Sequence, residues 1–198
     1  MKIYVIRHGQ TEANAAGQLQ GHIDTPLTDT GKRHANNVAE TLSRTDVDVL
    51  ISSPLKRALD TAKLVAQELR VDIRVDPDLK EICYGDWEGR YKSEFADTAV
   101  WERRTADKYN FEHPGEHEGV SGQSYADIYD RVVDFYTGLR ESDYDTVGVV
   151  THLGVLRNMK KHFEGVSDET AASFTPSADQ IYRISTEEDG DATLLDVN

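Results

Sequence analysis

Lys2-Ile3-Tyr4-Val5-Ile6-Arg7-His8-Gly9 decides the fold class of this 198-residue chain. Its apolar stretch is short, carries the β-branched residues Ile3, Val5 and Ile6, and stops at Arg7-His8-Gly9 before a helix has room to form. That pattern is a buried strand ending in a polar loop. Reading outward, strand and helix alternate. Ala35, Val38, Ala39 and Leu42 recur at helical spacing after possible caps at Thr28 and Asp29, and Val47 to Ile51 is again a β-type run. Ser52-Ser53-Pro54 supplies an N-cap candidate with proline at the first helical position, and the helix it opens has the stripe Ala58, Ala62, Val65, Ala66 and Leu69. Alternation over Val71 to Val75 predicts a third strand.

Residues 85–122 lose this regularity, with two tryptophans, scattered charge and the loop-like His113-Pro114-Gly115-Glu116-His117-Glu118-Gly119, and read as an irregular insertion that covers the active site. Helical spacing resumes at Ile128, Val132, Val133, Tyr136 and Leu139. Thr146 to Thr151 is a valine-rich strand, and His152-Leu153-Gly154 leads into a helix reaching about His162. Gln180 to Ser185 and Ala192 to Val197 predict a hairpin across a turn at Glu188-Asp189-Gly190. Alternating strands and helices give an α/β fold, a three-layer α/β/α sandwich around a mostly parallel sheet, with residues 1–198 as a single domain.

Asp and Glu outnumber Lys and Arg by 36 to 22, a formal net charge of -14 that repels nucleic acid, so no nucleic-acid partner is expected. The same field repels phosphate esters, so a phosphate site here must be locally basic. No run approaches the roughly 18 apolar residues of a membrane span, and Ile3 to Ile6 lacks the length and cleavage pattern of a secretory signal. The expectation is a soluble, cytoplasmic protein with no membrane association. The single cysteine, Cys83, leaves no disulfide framework or cysteine-rich metal site.

In open α/β sheets ligands bind outside the carboxyl ends of the strands. Three predicted strand ends carry informative residues: Arg7 and His8 after the first, Ser53 to Arg57 after the second, and His152 after the late valine-rich strand. Two arginines and two histidines on one rim suit phosphoryl transfer, where catalysis is mostly positioning and electrostatic stabilisation. Arginine matches phosphate oxygens with a planar fork of donors, and the unpaired N–H groups of the helices after Pro54 and His152 add to an anion pocket. An attacking histidine needs one bare ring nitrogen, with the proton on the other held by an acceptor. At this level either histidine could attack.

Five ordered blocks resolve that choice. Arg7-His8-Gly9-Gln10-Thr11-Glu12-Ala13-Asn14, Leu27-Thr28-Asp29-Thr30-Gly31, Ser52-Ser53-Pro54-Leu55-Lys56-Arg57-Ala58 with Thr61-Ala62, Leu79-Lys80-Glu81-Ile82-Cys83-Tyr84-Gly85-Asp86-Trp87-Glu88-Gly89, and Val150-Thr151-His152-Leu153-Gly154-Val155-Leu156-Arg157 together resemble the histidine phosphatase superfamily over nearly the whole chain. The resemblance implies a phosphoglycerate mutase-like fold, His8 as nucleophile, and Arg7, Arg57 and His152 as phosphoryl ligands. It makes Glu81 the acid that protonates the leaving oxygen. It also implies that Asn14, Gln20, Gly21, Tyr84 and the Leu153 N–H contact phosphate or substrate, a small phosphorylated metabolite, with no metal or other cofactor.

Within that superfamily Glu81-Ile82-Cys83-Tyr84, and Gly122-Gln123-Ser124 before a helix, are more similar to broad-specificity and α-ribazole phosphatases than to cofactor-dependent phosphoglycerate mutases, which usually carry Glu-Arg-His-Tyr and a larger insertion. A phosphomonoesterase working through a phosphohistidine on His8 is therefore expected. Its alternatives are the mutase, an α-ribazole phosphatase and a non-catalytic phosphate-ester sensor. Three further features invite attention. His113 and His117 have the spacing of helical metal ligands but flank Pro114-Gly115, which predicts a solvated loop. Cys83 reads as packing. Arg103 and Arg104 read as exposed charge, with a second acidic group on the substrate as the competing role.

Overall fold

The apolar run that opens the chain becomes a central strand because it alternates between two cores. The computed structural model describes residues 1–186 and 192–197. Its elements are β1 (Lys2–Arg7), α1 (Glu12–Ala16), α2 (Asp29–Leu42), β2 (Val49–Ser52), α3 (Lys56–Leu69), β3 (Ile73–Val75), α4 (Ala99–Ala106), β4 (Glu116–His117), β5 (Val120–Ser121), α5 (Tyr129–Arg140), β6 (Thr146–Thr151), α6 (Leu153–Glu164), α7 (Asp168–Ser173), β7 (Gln180–Ser185) and β8 (Ala192–Asp196). Six strands form one sheet in the order β3-β2-β6-β1-β7-β8. The first four are parallel, while β7 and β8 close one side antiparallel.

Successive side chains of a strand point to opposite faces. Tyr4 and Ile6 of β1, with Leu50 and Val150, meet Val38, Ala39 and Leu42 of α2 and Ala58, Ala62, Val65 and Ala66 of α3. Ile3 and Val5, with Val147 and Val149, meet Val132, Phe135, Tyr136 and Leu139 of α5 and Val155, Leu156 and Met159 of α6. Helices therefore cover both faces, and each fully buried aliphatic side chain contributes about 1.5–3 kcal/mol. No helix among the described residues is long and apolar enough to cross a membrane.

Several boundaries differ from the sequence pattern. α3 begins at Lys56 rather than Pro54, and Ser53 is fully buried, its Oγ accepting the Leu55 N–H at 3.3 Å and lying 2.8 Å from His152 Nε2. The cap comes instead from a distant loop: Asp24 Oδ2 accepts the Lys56 N–H at 2.7 Å. β3 is shorter than Val71 to Val75 and lies at the sheet edge, with Val75 exposed. On α5, Phe135 is buried where the predicted Val133 is only half-buried, and α1, α4 and α7 are too short for periodicity to mark. The β7–β8 hairpin is present, and its turn at Glu188 to Gly190 lies outside the described residues.

Residues 85–122 contain α4, the β4–β5 hairpin and short turns, built around aromatic contacts. Trp87 stacks on Phe95 with ring centroids 4.1 Å apart and packs beside Trp101 and Phe111. This cluster is continuous with the α5–α6 core.

The loop after β1 lies directly on the start of α2. A Cβ on Gly31 would sit 2.1 Å from the Gln10 carbonyl oxygen, and one on Gly9 would sit 2.4 Å from the Gly31 oxygen, so both positions admit only glycine without backbone movement. Gly31→Ala is expected to lower stability by about 1–3 kcal/mol, the cost of overpacking a fixed contact. Urea unfolding measures it, and an unchanged midpoint would show that the loop yields freely.

Candidate active site

β1 and β6 end side by side, Arg7 paired with Thr151, and the ladder runs one bond further as the His8 N–H donates to the Thr151 carbonyl at 3.0 Å. His8 and His152 thus leave the sheet at the same level, with ring centroids 5.1 Å apart. His8 is 6% exposed, and its Nδ1 lies 2.8 Å from the Gly9 carbonyl oxygen. A carbonyl only accepts, so Nδ1 carries the proton and Nε2 presents a lone pair. Arg57 Nε donates to that Nε2 at 3.3 Å. Burial first, then Arg57 and Arg7, hold the His8 pKa well below the ordinary imidazole value, so the ring is neutral at pH 7.

Arg57 sits in the first turn of α3, fully buried, with nearly every donor engaged. Nη1 donates to the Ile23 carbonyl and to Asp24 Oδ1, both at 2.9 Å, and Nη2 donates to the Gly21 carbonyl at 2.7 Å. With Nε on His8, only one Nη2 hydrogen of the guanidinium is left without a partner among the described residues. Asp24 is its ion-pair partner, whereas Asp60, on the same helix, pairs with Lys56 and Lys63. Asp24 carries no motif signal, because its contact spans 33 positions. Arg7 is different: its one hydrogen bond among the described residues is long, Nη1 to the Pro176 carbonyl at 3.4 Å, and its pKa is lowered chiefly by burial.

His152 caps α6 and is fully buried. Its Nε2 engages Ser53, whereas Nδ1 is buried with no partner among the described residues, a vacancy that an acceptor or donor on a ligand would satisfy. Burial, then Arg57 and His8, depress its pKa strongly. Leu153 is the first residue of α6, so its N–H has no acceptor within the helix and points from the positive end of the dipole. The next N–H, of Gly154, donates to Glu81 Oε1 and Oε2 at 3.1 and 3.2 Å, and Ile82 N–H donates to Oε1 at 2.9 Å. A Cβ at Gly154 would lie 2.2 Å from Glu81 Oε1, so glycine is what lets the carboxylate reach the helix end. Arg7, His8, Arg57, Glu81 and His152, drawn from four separate segments, lie close together beyond the ends of β1 and β6.

The histidine phosphatase superfamily (branch 1) matches residues 3–198. The chain belongs to that superfamily. It is 32% identical over 175 residues to the adenosylcobalamin/alpha-ribazole phosphatase of Escherichia coli (strain K12), spanning 88% of this chain and 84% of the relative. It is 34% identical over 161 residues to phosphoserine phosphatase 1 of Hydrogenobacter thermophilus, spanning 80% and 74%. Among solved structures, a putative alpha-ribazole-5'-P phosphatase from Escherichia coli K-12 superposes with a TM-score of 0.82 at 29% identity, covering 100% of this chain and 96% of that one.

In this histidine phosphatase the predicted substrate contacts divide into two groups. Gln20 is spent internally, its Oε1 accepting from Thr11 at 2.6 Å and its Nε2 donating to Thr25 at 3.2 Å. Gly21 is spent on Glu88 and Arg57. Asn14 closes a capping box with Thr11 through Oδ1 and remains half-exposed. Tyr84 is buried, and burial above all holds its phenol well above the usual pKa, hence protonated. Its ring meets His113 edge-on at 4.7 Å.

His113 corrects the solvated-loop expectation. It is buried against Tyr84, Trp87 and Phe111 because the aromatics of the irregular segment enclose it. Its Nδ1 lies 2.7 Å from the Gln123 carbonyl, and burial lowers its pKa to about 4. Its Nε2 accepts from Arg104 Nε at 3.4 Å, so Arg104 is buried while Arg103 is exposed. Cys83 is buried with its thiol pKa raised by burial. Among the described residues no group of three or more His, Cys, Asp or Glu side chains is placed to hold a metal ion.

Arg57 is the second cause of the depressed His8 pKa, after burial. Removing a cation makes the imidazolium less unfavourable, so Arg57→Ala is expected to raise the His8 pKa toward 6.5. An NMR titration of the labelled imidazole reads this directly. A value that stays or falls would mean that the guanidinium charge is not felt at the ring.

Proposed function

We propose that this phosphomonoesterase hydrolyses small phosphorylated metabolites through a covalent phosphohistidine at His8 Nε2. The observation that carries this reading is the locked tautomer: the Gly9 carbonyl holds the Nδ1 proton, and the unprotonated Nε2 faces the Arg57 guanidinium. In the first step the Nε2 lone pair forms a bond to phosphorus as the ester P–O bond breaks, and protonated Glu81 delivers its proton to the leaving oxygen. Arg7, Arg57, His152 Nδ1 and the Leu153 N–H surround the equatorial oxygens, where charge spreads in the transition state. In the second step water attacks phosphorus, its proton passes to the Glu81 carboxylate, and the N–P bond breaks to release phosphate and neutral His8.

Asn14 and the Tyr84 phenol are the remaining direct contacts in this reading. Gln20 and Gly21 act from behind, as supports for the loop that holds Arg57. Arg104 adds a preference within the class. It is buried beside the His113–Tyr84 pair and forms no ion pair among the described residues, so it favours substrates with a second acidic group. Phosphoserine, the substrate in the name of the Hydrogenobacter relative, is such a molecule.

Incubation with p-nitrophenyl phosphate is expected to give turnover that His8→Ala abolishes, and rapid acid-free quenching should trap an acid-labile phosphoenzyme in the wild type alone. Arg7→Ala and Arg57→Ala should each cost at least about a hundredfold in kcat, more than Asn14→Ala, because each guanidinium offers paired donors to the transition state. Equal losses in all three would count against the assignment. Supplying 3-phosphoglycerate together with 2,3-bisphosphoglycerate separates hydrolysis from transfer: free phosphate is expected, and rapid interconversion of phosphoglycerates with little phosphate released would make the enzyme a mutase.

Arg104→Ala should raise KM for phosphoserine about tenfold, the worth of a charged hydrogen bond, while leaving KM for p-nitrophenyl phosphate nearly unchanged. Equal increases for both substrates would remove the second-acid preference.

A further inference from the structure

Three consecutive backbone N–H groups in the loop after α1 converge on a single carboxylate. Glu88 Oε2 accepts from Gly21 at 3.0 Å and Ile23 at 3.3 Å, and Oε1 accepts from His22 at 2.8 Å. Oε1 also accepts the Tyr84 N–H at 2.9 Å, so one side chain joins this loop to the segment that carries Glu81 and Tyr84. Successive N–H groups of this kind form an anion-binding concavity. Here the protein's own carboxylate fills it. A Cβ on Gly21 would sit 2.3 Å from Glu88 Oε1 and 2.3 Å from the Ile82 carbonyl oxygen, so the approach depends on glycine at that position.

The opposite edge of the same loop faces Arg57. Gly21 and Ile23 each direct the N–H to Glu88 and the C=O to the guanidinium, at 2.7 Å for Gly21 and 2.9 Å for Ile23. The Gly21–His22 peptide group, with its C=O on Arg57 and its N–H on Glu88, is thus a dipole aligned between an anion and a buried cation, each strengthening the other in a low-dielectric setting. The Glu88 charge also favours the charged form of Arg57. Asp24 is the direct ion-pair partner of Arg57, and Glu88 is a second counterion acting through the peptide groups between them.

We infer that Glu88 is a positioning residue for phosphoryl binding, acting through the Gly21 and Ile23 carbonyls to aim Arg57 at the phosphate. The inference rests on the reading of Arg57 as a phosphoryl ligand. Glu88→Gln keeps the size but turns an NH2 group toward backbone donors, breaking two of the four bonds and removing the charge. Glu88→Asp keeps the charge with a shorter reach.

The test is a double-mutant cycle read with orthovanadate as inhibitor of p-nitrophenyl phosphate turnover. Glu88→Gln is expected to weaken vanadate inhibition about tenfold in the wild-type background and less than about twofold when Arg57 is already alanine, since residues that act as a unit are non-additive. Glu88→Asp should recover part of the inhibition, which also secures a reading if the glutamine variant does not fold. A full tenfold weakening by Glu88→Gln, or an undiminished loss in Glu88→Asp, in the Arg57→Ala background would overturn the positioning role while leaving Arg57 as a ligand. If Arg57→Ala alone leaves vanadate inhibition intact, the reading of Arg57 fails and the role of Glu88 fails with it.

Discussion

The parallel pairing of β1 with β6, in register from Lys2 beside Thr146 to Arg7 beside Thr151, is the constraint on which the rest of the structure depends. Because side chains alternate along a strand, this register sends Ile3 and Val5 to one core and Tyr4 and Ile6 to the other. A slip of one residue would turn each set toward the wrong layer, so the hydrophobic cores enforce the register strongly. The candidate site inherits that precision. His8 and His152 are the residues immediately beyond the paired strands, and burial of the two cores fixes their separation without any direct bond between the rings.

The second organising feature is electrostatic. A chain with formal charge -14 buries Arg57, Arg104 and Arg157, and half-buries Arg7, around one rim. Only Arg57 has a carboxylate partner among the described residues, and that partner is Asp24 on the side away from His8. The others are held by neutral groups: Arg157 donates to the Phe174 carbonyl, the Tyr125 hydroxyl and Thr175. Neutral partners orient a guanidinium without cancelling its charge, so the local field stays positive in an acidic protein. Burial first, and then the neighbouring arginines, keep both imidazoles neutral, the protonation state that the proposed attack by His8 Nε2 requires.

Glycines make these approaches possible at a few defined places. Gly154 admits the Glu81 carboxylate to the end of α6, and Gly21 admits Glu88 to the loop that clamps Arg57. In both cases the carboxylate accepts backbone N–H groups, and neither Glu81 nor Glu88 forms an ion pair among the described residues, whereas Asp24 pairs with Arg57 directly.

By itself the sequence determined the local elements and the chemistry available at their ends. Short β-branched runs at Ile3 to Ile6 and Thr146 to Thr151, and helical spacing from Ala35 and Ala58, are properties of neighbouring residues, so the strands of the main sheet, the longer helices and the positions of Arg7, His8, Arg57 and His152 near their ends could be read directly. The ordered motif blocks added Glu81. Tertiary structure alone decided which distant groups meet. Asp24 caps α3 and pairs with Arg57 across 33 positions, Ser53 meets His152 across 99, and Glu88 gathers amides more than 60 positions away. It also buried His113 and Arg104, because the aromatic side chains of residues 85–122 pack by contact and carry no period that a sequence pattern can register. Local spacing reports the backbone's own repeat, whereas hydrogen bonds and ion pairs between loops exist only once the two cores have brought those loops together.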